Sequence, residues 1–269
     1  LVLFLPIVLI AFFLLVPPPR RRELLLFASL FYYGFSGLDH MLVLISGIIW
    51  VYLLCRNKSI IGNPRRLAMA VTGPALALIY YKYSTFILHS VLQIPIDATS
   101  SQFSVFENVL LPAGISFFTF QLISFAIDRY RGSIIEMPPL RSFALYISFF
   151  PQLVAGPILR YDQVEKPIAN LAQYVPSKRN FDDAIAYIVF GLMIKVLLAD
   201  GLARMMPPML MDPAALDVNA SLYVLLGYSF QIYFDFYGYS MIAIGLGRFF
   251  GFRLPDNFLR PYEALNPQD

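Results

Sequence analysis

Long apolar runs alternate with short charged loops along the 269 residues of this chain. A membrane-crossing α-helix needs about 20 largely apolar residues. The pattern therefore predicts an all-α fold, a polytopic transmembrane helical bundle that forms a single integral membrane domain over residues 1–269. The predicted spans lie at residues 1–16, 24–38, 41–55, 67–88, 109–127, 184–199 and 220–247.

Loop charges predict how these spans are oriented, because Lys and Arg concentrate in the cytoplasmic loops of membrane proteins. Basic residues at 20–22 and at 56–66 place both loops in the cytoplasm. The loops 89–107 and 205–219 are acidic and are predicted to lie outside. The N-terminus is then also outside.

The apolar segment 142–158 does not fit the pattern of crossings. Arg141 and Arg160 make both of its flanks positive, and Pro151, Gly156 and Pro157 would break a helix. We expect a re-entrant segment, since irregular backbone at membrane depth is tolerated when it is buried in protein or faces a water-filled cavity. An amphipathic helix lying at the interface is the alternative.

Composition supports the membrane assignment and excludes other classes. Charged residues make up 14% of the chain, against about 25% in soluble domains, and the mean hydropathy is +0.66. The net charge of +3 comes from loop residues, which indicates orientation and not nucleic-acid binding. The single cysteine, Cys55, excludes an internal disulfide framework and gives no metal-binding spacing.

Polar residues inside the last span are the strongest functional signal. Gln231, Asp235 and Tyr239 recur every four residues and so share one helix face. An aspartate at the centre of a membrane helix costs about 2.5–3.5 kcal/mol on insertion scales. We expect Asp235 to support a functional cavity or gate, with bracing between helices as the alternative.

A second polar stripe runs along the span 109–127 and beyond its end. It contains Phe117, Gln121, Ser124 and Asp128, and hydrogen bonding to neighbouring helices would explain it without function. For Asp128, pairing with Arg129 or Arg131 at the interface is the simpler interpretation.

Two further charged residues lie in or beside the span 184–199. Lys195 can extend towards the membrane interface. Asp200 and Arg204 are four residues apart and are expected to pair.

Common catalytic patterns are missing from the sequence. There is no G-x-S-x-G or H-E-x-x-H, and the glycines at 245–251 miss the dinucleotide-binding spacing by one position. His40 and His89 fall at the outer ends of spans, where we expect solvated turn or interface residues that are dispensable for function.

Four ordered segments resemble the membrane-bound O-acyltransferase family, in particular its bacterial alginate and cell-wall polysaccharide O-acetyltransferases. They are VLLPAGISFFTFQLISFAIDRYRG (109–132), SFFPQLVAGPILR (148–160), YSFQIYFDFYGYSMIAIGLGRFFGFRLPDNF (228–258) and LRPY (259–262). Ile194-Lys195 followed by Ala199-Asp200 is a looser match to a family segment with two lysines, of which the first is missing. Four ordered motifs are far more specific than one short pattern.

The resemblance implies a function and a place in the cell. Such proteins move an acyl group, commonly acetyl, from a cytoplasmic thioester such as acetyl-coenzyme A to a hydroxyl on an extracytoplasmic polysaccharide. Alginate biosynthesis and cell-wall modification are the implied settings, in the bacterial inner membrane with several passes. No cofactor beyond the donor, no metal and no nucleic acid is implied. The implied partners are membrane lipid, the acyl donor, and a polysaccharide acceptor or an extracytoplasmic acetyl-transfer protein.

The resemblance also implies where the site residues lie. The family's base is a histidine that follows the stretch on which this chain ends, so we expect the chain to be an N-terminal fragment, inactive alone, with its base beyond Asp269. Neither His40 nor His89 matches that position. The residues expected to line the substrate tunnel are Gln121, Gln152, Gln231, Asp235, Asn257 and Tyr262.

The alternative is a transporter or channel subunit in which Asp235 and Lys195 bind ions or relay protons. A transporter of this kind is expected to show related halves with paired broken helices. The sequence shows no such pairing.

Overall fold

A computed structural model describes residues 3–91, 110–153, 156–205, 217–257, 263 and 266. All regular secondary structure in these ranges is helical, which confirms the all-α prediction. The chain divides into two compact units, one formed by residues 1–154 and 160–172 and the other by 155–159 and 173–269. The expectation of one integral membrane domain stays a prediction.

The first unit contains seven main helices in its described part. Helix α1 continues from Phe4–Ile10 through a π-helical turn at Ala11–Leu15, and α4 continues from Pro64–Leu78 through further short π and α segments to Val91. The others are α2 (Arg21–Gly34), α3 (Leu38–Cys55), α5 (Ile115–Arg131), α6 (Leu140–Ser148) and α7 (Tyr161–Ala169).

Local chemistry fixes the ends of these helices. The side chain of Asn63 accepts hydrogen bonds from the backbone N–H groups of Arg65 and Arg66, with Pro64 at the first helical position of α4. Gly132 ends α5 with a φ of +77°, the left-handed conformation that favours glycine at this position. The sequence thus specifies where α4 begins and where α5 ends.

Helix α5 supplies the centre of the first unit and packs against α3, α4 and α6. Its residues Phe118, Leu122 and Phe125 are almost fully buried. The ring of Phe125 lies 4.5 Å from that of Phe143 on α6 and 5.6 Å from that of Tyr161 on α7. Aromatic pairs at such distances contribute about 0.5–1.5 kcal/mol each beyond the area they bury, so this aromatic cluster fixes α6 and α7 on α5.

The break predicted within 142–158 is confirmed. Helix α6 ends at Ser148, three residues before Pro151, and regular helix resumes only at Tyr161. The Ser29 hydroxyl accepts a hydrogen bond from the backbone N–H of Phe150 at 3.1 Å, which satisfies one donor freed by the break. The re-entrant position of this segment in the membrane stays a prediction.

The second unit is built on two long helices that pack along each other. Helix α8 runs from Lys178–Met193 through a π-helical turn at Ile194–Ala199 to Asp200–Met205. Helix α9 spans Val218–Phe249, and the side chain of Asp217 caps its start by accepting from the N–H of Ala220.

Two helices of the described residues are long and apolar enough to cross a membrane, Leu38–Cys55 and Lys178–Met205, and Phe4–Leu15 is a shorter apolar helix. Helix α9 has the length, but Gln231, Asp235 and its tyrosines lower its hydropathy. Each predicted run thus coincides with a helix, whereas the number of crossings stays a prediction.

Candidate functional site

Close contact between α8 and α9 positions the polar residues of the second unit. A Cβ atom added at Gly191 would lie 2.6 Å from the carbonyl oxygen of Gly238, and one added at Gly245 would lie 2.7 Å from that of Ala184. These residues recur at seven-residue intervals on both helices, so small side chains form a continuous seam. The seam lets the two backbones approach closely enough for short polar side chains to meet.

A charged cluster lies beside this seam. The Lys195 ammonium is 2.6 Å from a carboxylate oxygen of Asp200 and 2.6 Å from one of Asp235. The same ammonium lies 5.3 Å from the ring centroid of Tyr239, within the range of a cation–π contact. The structure therefore joins Asp235 and Tyr239 of α9 to Lys195 of α8.

The π-helical turn at Ile194–Ala199 is what brings Lys195 and Asp200 together. In an α-helix, residues five apart point in different directions because a turn holds 3.6 residues. A π turn bonds residue i to residue i+5 and so places them on one face. Our expectation that Asp200 pairs with Arg204 was wrong: both lie in the regular α-helical segment Asp200–Met205, but the Asp200 carboxylate contacts Lys195 on the preceding π turn instead.

The cluster carries more negative than positive charge, because two carboxylates face one ammonium. The side chains of Lys195, Asp200 and Asp235 are 22%, 35% and 36% exposed. The ammonium thus compensates the two carboxylates only in part, and one negative charge remains to attract a hydrogen-bond donor or a cation.

Other predicted site residues of the second unit lie on or beside α9. Gln231 is half-buried one turn before Asp235. The Asn257 side-chain amide donates to the hydroxyl of Ser240 at 3.1 Å and holds the segment after α9 against that helix. Tyr262 lies outside the described residues.

A second polar group in this unit was not anticipated from the sequence. Arg248 donates to Asp183 at 3.1 Å and to the Tyr187 hydroxyl at 3.3 Å, with its guanidinium 4.4 Å from the Tyr187 ring centroid. A cavity of about 550 Å³ lies on the same helices. It is lined by Ala186, Tyr187, Phe190, Tyr237, Met241 and Asp256.

The two glutamines predicted in the first unit are both buried there, Gln121 on α5 and Gln152 in the break after α6. The Gln152 amide donates to the carbonyl of Tyr146 at 3.1 Å. Its side-chain oxygen is buried and has no hydrogen-bond partner among the described residues. Gln152 therefore stabilises the broken segment through its amide N–H, while its side-chain oxygen accepts no hydrogen bond from a described residue.

Asp128 pairs with a residue that the sequence did not suggest. Arg160 donates to its carboxylate at 2.5 and 3.3 Å, and this contact raises the pKa of the guanidinium. Pairing with Arg129 or Arg131 was a wrong expectation: Arg129 points about 100° away from Asp128 on the helix, and the carboxylate binds Arg160 instead of Arg131. Arg129 is instead buried and donates to the carbonyls of Cys55, Ile134 and Ile135.

The expectation of a solvated His40 was also wrong. The imidazole is buried, with Nε2 at 3.2 Å from the carbonyl of Leu110 and at 3.7 Å from the Asp39 carboxylate. The side chain of His89 lies outside the described residues. Among the described residues, no group of three or more His, Cys, Asp or Glu is arranged to hold a metal ion.

Comparison with known proteins provides a family match. The family model described as MBOAT, membrane-bound O-acyltransferase family, matches residues 79–266. This range includes all of the second unit's charged cluster together with Gln121 and Gln152.

Individual relatives agree with the family match. A peptidoglycan O-acetyltransferase of Helicobacter pylori is 30% identical over 90% of the chain and 50% of its own length. A probable alginate O-acetylase of Pseudomonas aeruginosa is 34% identical over 87% of the chain and 45% of its own length. A teichoic acid D-alanyltransferase of Streptococcus thermophilus is 26% identical over 80% of the chain and 49% of its own length. The chain spans about half the length of the curated relatives it matches.

Proposed function

Because the chain belongs to the membrane-bound O-acyltransferase family, we propose that the whole protein transfers an acetyl group to a hydroxyl of an extracytoplasmic polysaccharide. The donor is a cytoplasmic thioester such as acetyl-coenzyme A, and the protein crosses the bacterial inner membrane several times. The observation that carries the proposal is similarity to O-acetyltransferases of peptidoglycan and alginate over 90% and 87% of the chain.

Acetyl is favoured over D-alanyl by the same comparisons. The D-alanyltransferase is less similar, at 26% identity, than the two O-acetyltransferases, at 30% and 34%. The alternative of a transporter or channel has no support from these relatives, since all three are transferases.

The reaction needs three kinds of group from the protein. A hydroxyl is a weak nucleophile at neutral pH and requires a base within hydrogen-bond reach. The thioester carbonyl becomes an oxyanion that requires donors, and the acceptor must be held against the donor. Neither His40 nor His89 stands at the family's position for the base, so the proposal assigns the base to neither.

We assign the holding of the acceptor to the residues predicted from the sequence, with Asp235 as the central one. Lys195 fixes the orientation of Asp235, since its ammonium lies 2.6 Å from a carboxylate oxygen of that residue. The negative charge left over in the cluster is suited to accept a hydrogen bond from a sugar hydroxyl. Gln121, Gln152, Gln231, Asn257 and Tyr262 supply further polar contacts along the tunnel in this proposal.

The test replaces the gene in its host and measures esters on the envelope polysaccharides. Deletion should abolish base-labile acetyl esters, and the wild-type gene should restore them. Asp235→Asn at equal membrane level should lower the initial rate of acetylation about ten-fold to a hundred-fold, the equivalent of a lost hydrogen bond to a charged group.

The matched control is Asp182→Asn, which changes an exposed aspartate of the same unit that makes no ion pair with a described residue. It should restore acetylation fully. If the deletion strain loses D-alanyl esters and keeps its acetyl esters, the transferred group is D-alanyl and not acetyl. Unchanged levels of both esters would contradict acyl transfer.

A further inference from the structure

The outward face of α5 forms an open groove in the first unit. Phe120, Ile123, Ser124 and Ile127 follow one another at helical spacing and line a cavity of about 330 Å³. The Phe120 side chain is 49% exposed, while the opposite face of α5 carries the buried Phe118 and Leu122. Helix α5 thus has two apolar faces, of which one packs in the core and the other is open.

Two arginines close one end of this groove. Arg131 is exposed and makes no ion pair with a described residue. Arg160 bonds Asp128 through Nε and Nη2, whereas its Nη1 donates to no described group and its side chain stays 53% exposed. Two guanidiniums and one carboxylate leave this end of the groove with a net positive charge.

We propose that this groove binds one anionic phospholipid of the cytoplasmic leaflet. The phosphate accepts hydrogen bonds from Arg131 and Arg160, and one acyl chain lies along Phe120, Ile123 and Ile127. This inference does not rest on the proposed acyl transfer.

Charge and position both favour this occupant. Arginine presents a planar set of donors that matches the oxygens of a phosphate. The loop that follows α5 is predicted to lie on the cytoplasmic side by its basic residues, where anionic lipids give the membrane surface a negative potential that attracts basic side chains. An apolar wall that ends at free donors fits a lipid with its tail in the membrane and its phosphate at the surface.

The experiment titrates lipid onto the full-length protein, purified in detergent, and counts bound molecules by native mass spectrometry. Palmitoyl-oleoyl phosphatidylglycerol is the probe, and phosphatidylcholine with the same chains is the neutral comparison. The wild-type protein should retain one phosphatidylglycerol more tightly than phosphatidylcholine. Arg131→Gln should weaken that binding roughly five-fold, the effect expected for one basic residue at an anionic surface.

Two further variants separate the site from general charge and from misfolding. Arg65→Gln removes an exposed arginine on the same predicted side, at the start of α4, and should leave the binding unchanged. Ser124→Trp fills the groove without changing any charge, and it should weaken the binding of the lipid while circular dichroism shows unchanged helix content.

Three results would overturn the proposal. The first is equal loss of phosphatidylglycerol binding in Arg131→Gln and Arg65→Gln, which would indicate general electrostatics. The second is no preference of the wild-type protein for phosphatidylglycerol over phosphatidylcholine. The third is that Arg131→Gln weakens the binding of coenzyme A or inorganic phosphate but leaves lipid binding unchanged. That result would show that the arginines bind a soluble phosphate compound and not a lipid.

Discussion

At the scale of single residues, Asp235 could be singled out from the sequence but its partner could not. An aspartate within an apolar run is conspicuous because of its insertion cost. The sequence indicated that Lys195 can extend towards the interface, and it named Lys195 together with Asp235 only in the transporter alternative, yet the ammonium lies 2.6 Å from both Asp200 and Asp235. The contact between Lys195 and Asp200 depends on the π-helical turn, and the contact between Lys195 and Asp235 joins residues 40 positions apart. Neither contact can be predicted from the spacing of residues along one helix.

Lys195→Met is predicted to destabilise the full-length protein, because it leaves two carboxylates close together without a cation. Breaking a fully buried pair costs about 3–5 kcal/mol, and we expect about 1–3 kcal/mol for these half-buried groups. Lys195→Arg should retain most of the stability, since a guanidinium can bond both carboxylates. Thermal unfolding of the detergent-purified variants measures the difference.

A double variant checks that charge is the cause. Lys195→Met combined with Asp200→Asn removes one of the two uncompensated carboxylates and should regain part of the lost melting temperature. If the double variant is no more stable than Lys195→Met, the cluster contributes by packing and not by charge.

At the scale of elements, apolar runs predicted where helices lie, and breakers predicted where α6 stops. Pro151, Gly156 and Pro157 mark the interruption, and the structure ends α6 at Ser148. The π turns at Ala11–Leu15, Ile79–Tyr83 and Ile194–Ala199 could not be predicted. Their residues are Ala, Leu, Phe, Ile, Tyr, Lys and Val, types that also occur in α-helices, so no local pattern separates a π turn from the helix around it.

Segment 142–158 is predicted to enter and leave the membrane on the cytoplasmic side. Fusions of alkaline phosphatase and of green fluorescent protein after Pro139 and after Asn170, just past the end of α7, should both report the cytoplasm. A fusion within the loop 89–107 is the control and should report the outside. An extracytoplasmic signal after Asn170 would show that the segment crosses and would reverse the predicted orientation of α8 and α9.

At the scale of the whole molecule, the sequence indicated the family, and the structure shows two helical units. Three of the four ordered motifs fall on α5, on the break after α6 and on α9, and the fourth, LRPY at 259–262, lies outside the described residues. Buried Gln121 and Gln152 belong to the first unit, and the Lys195 cluster belongs to the second. The partners of these polar groups within each unit could not be predicted, because they depend on packing between residues distant in the chain.

Acetyl transfer by the reconstituted full-length protein tests the central claim most directly. The protein is placed in vesicles with acetyl-coenzyme A that carries a label in its acetyl group on the face predicted to be cytoplasmic. A glycan with free hydroxyl groups is supplied on the other face. We predict labelled, base-labile acetyl esters on the glycan, formed at least ten-fold more slowly by Asp235→Asn and at the wild-type rate by Asp182→Asn. Label that stays on coenzyme A or appears only as free acetate, with no glycan ester, would contradict the account.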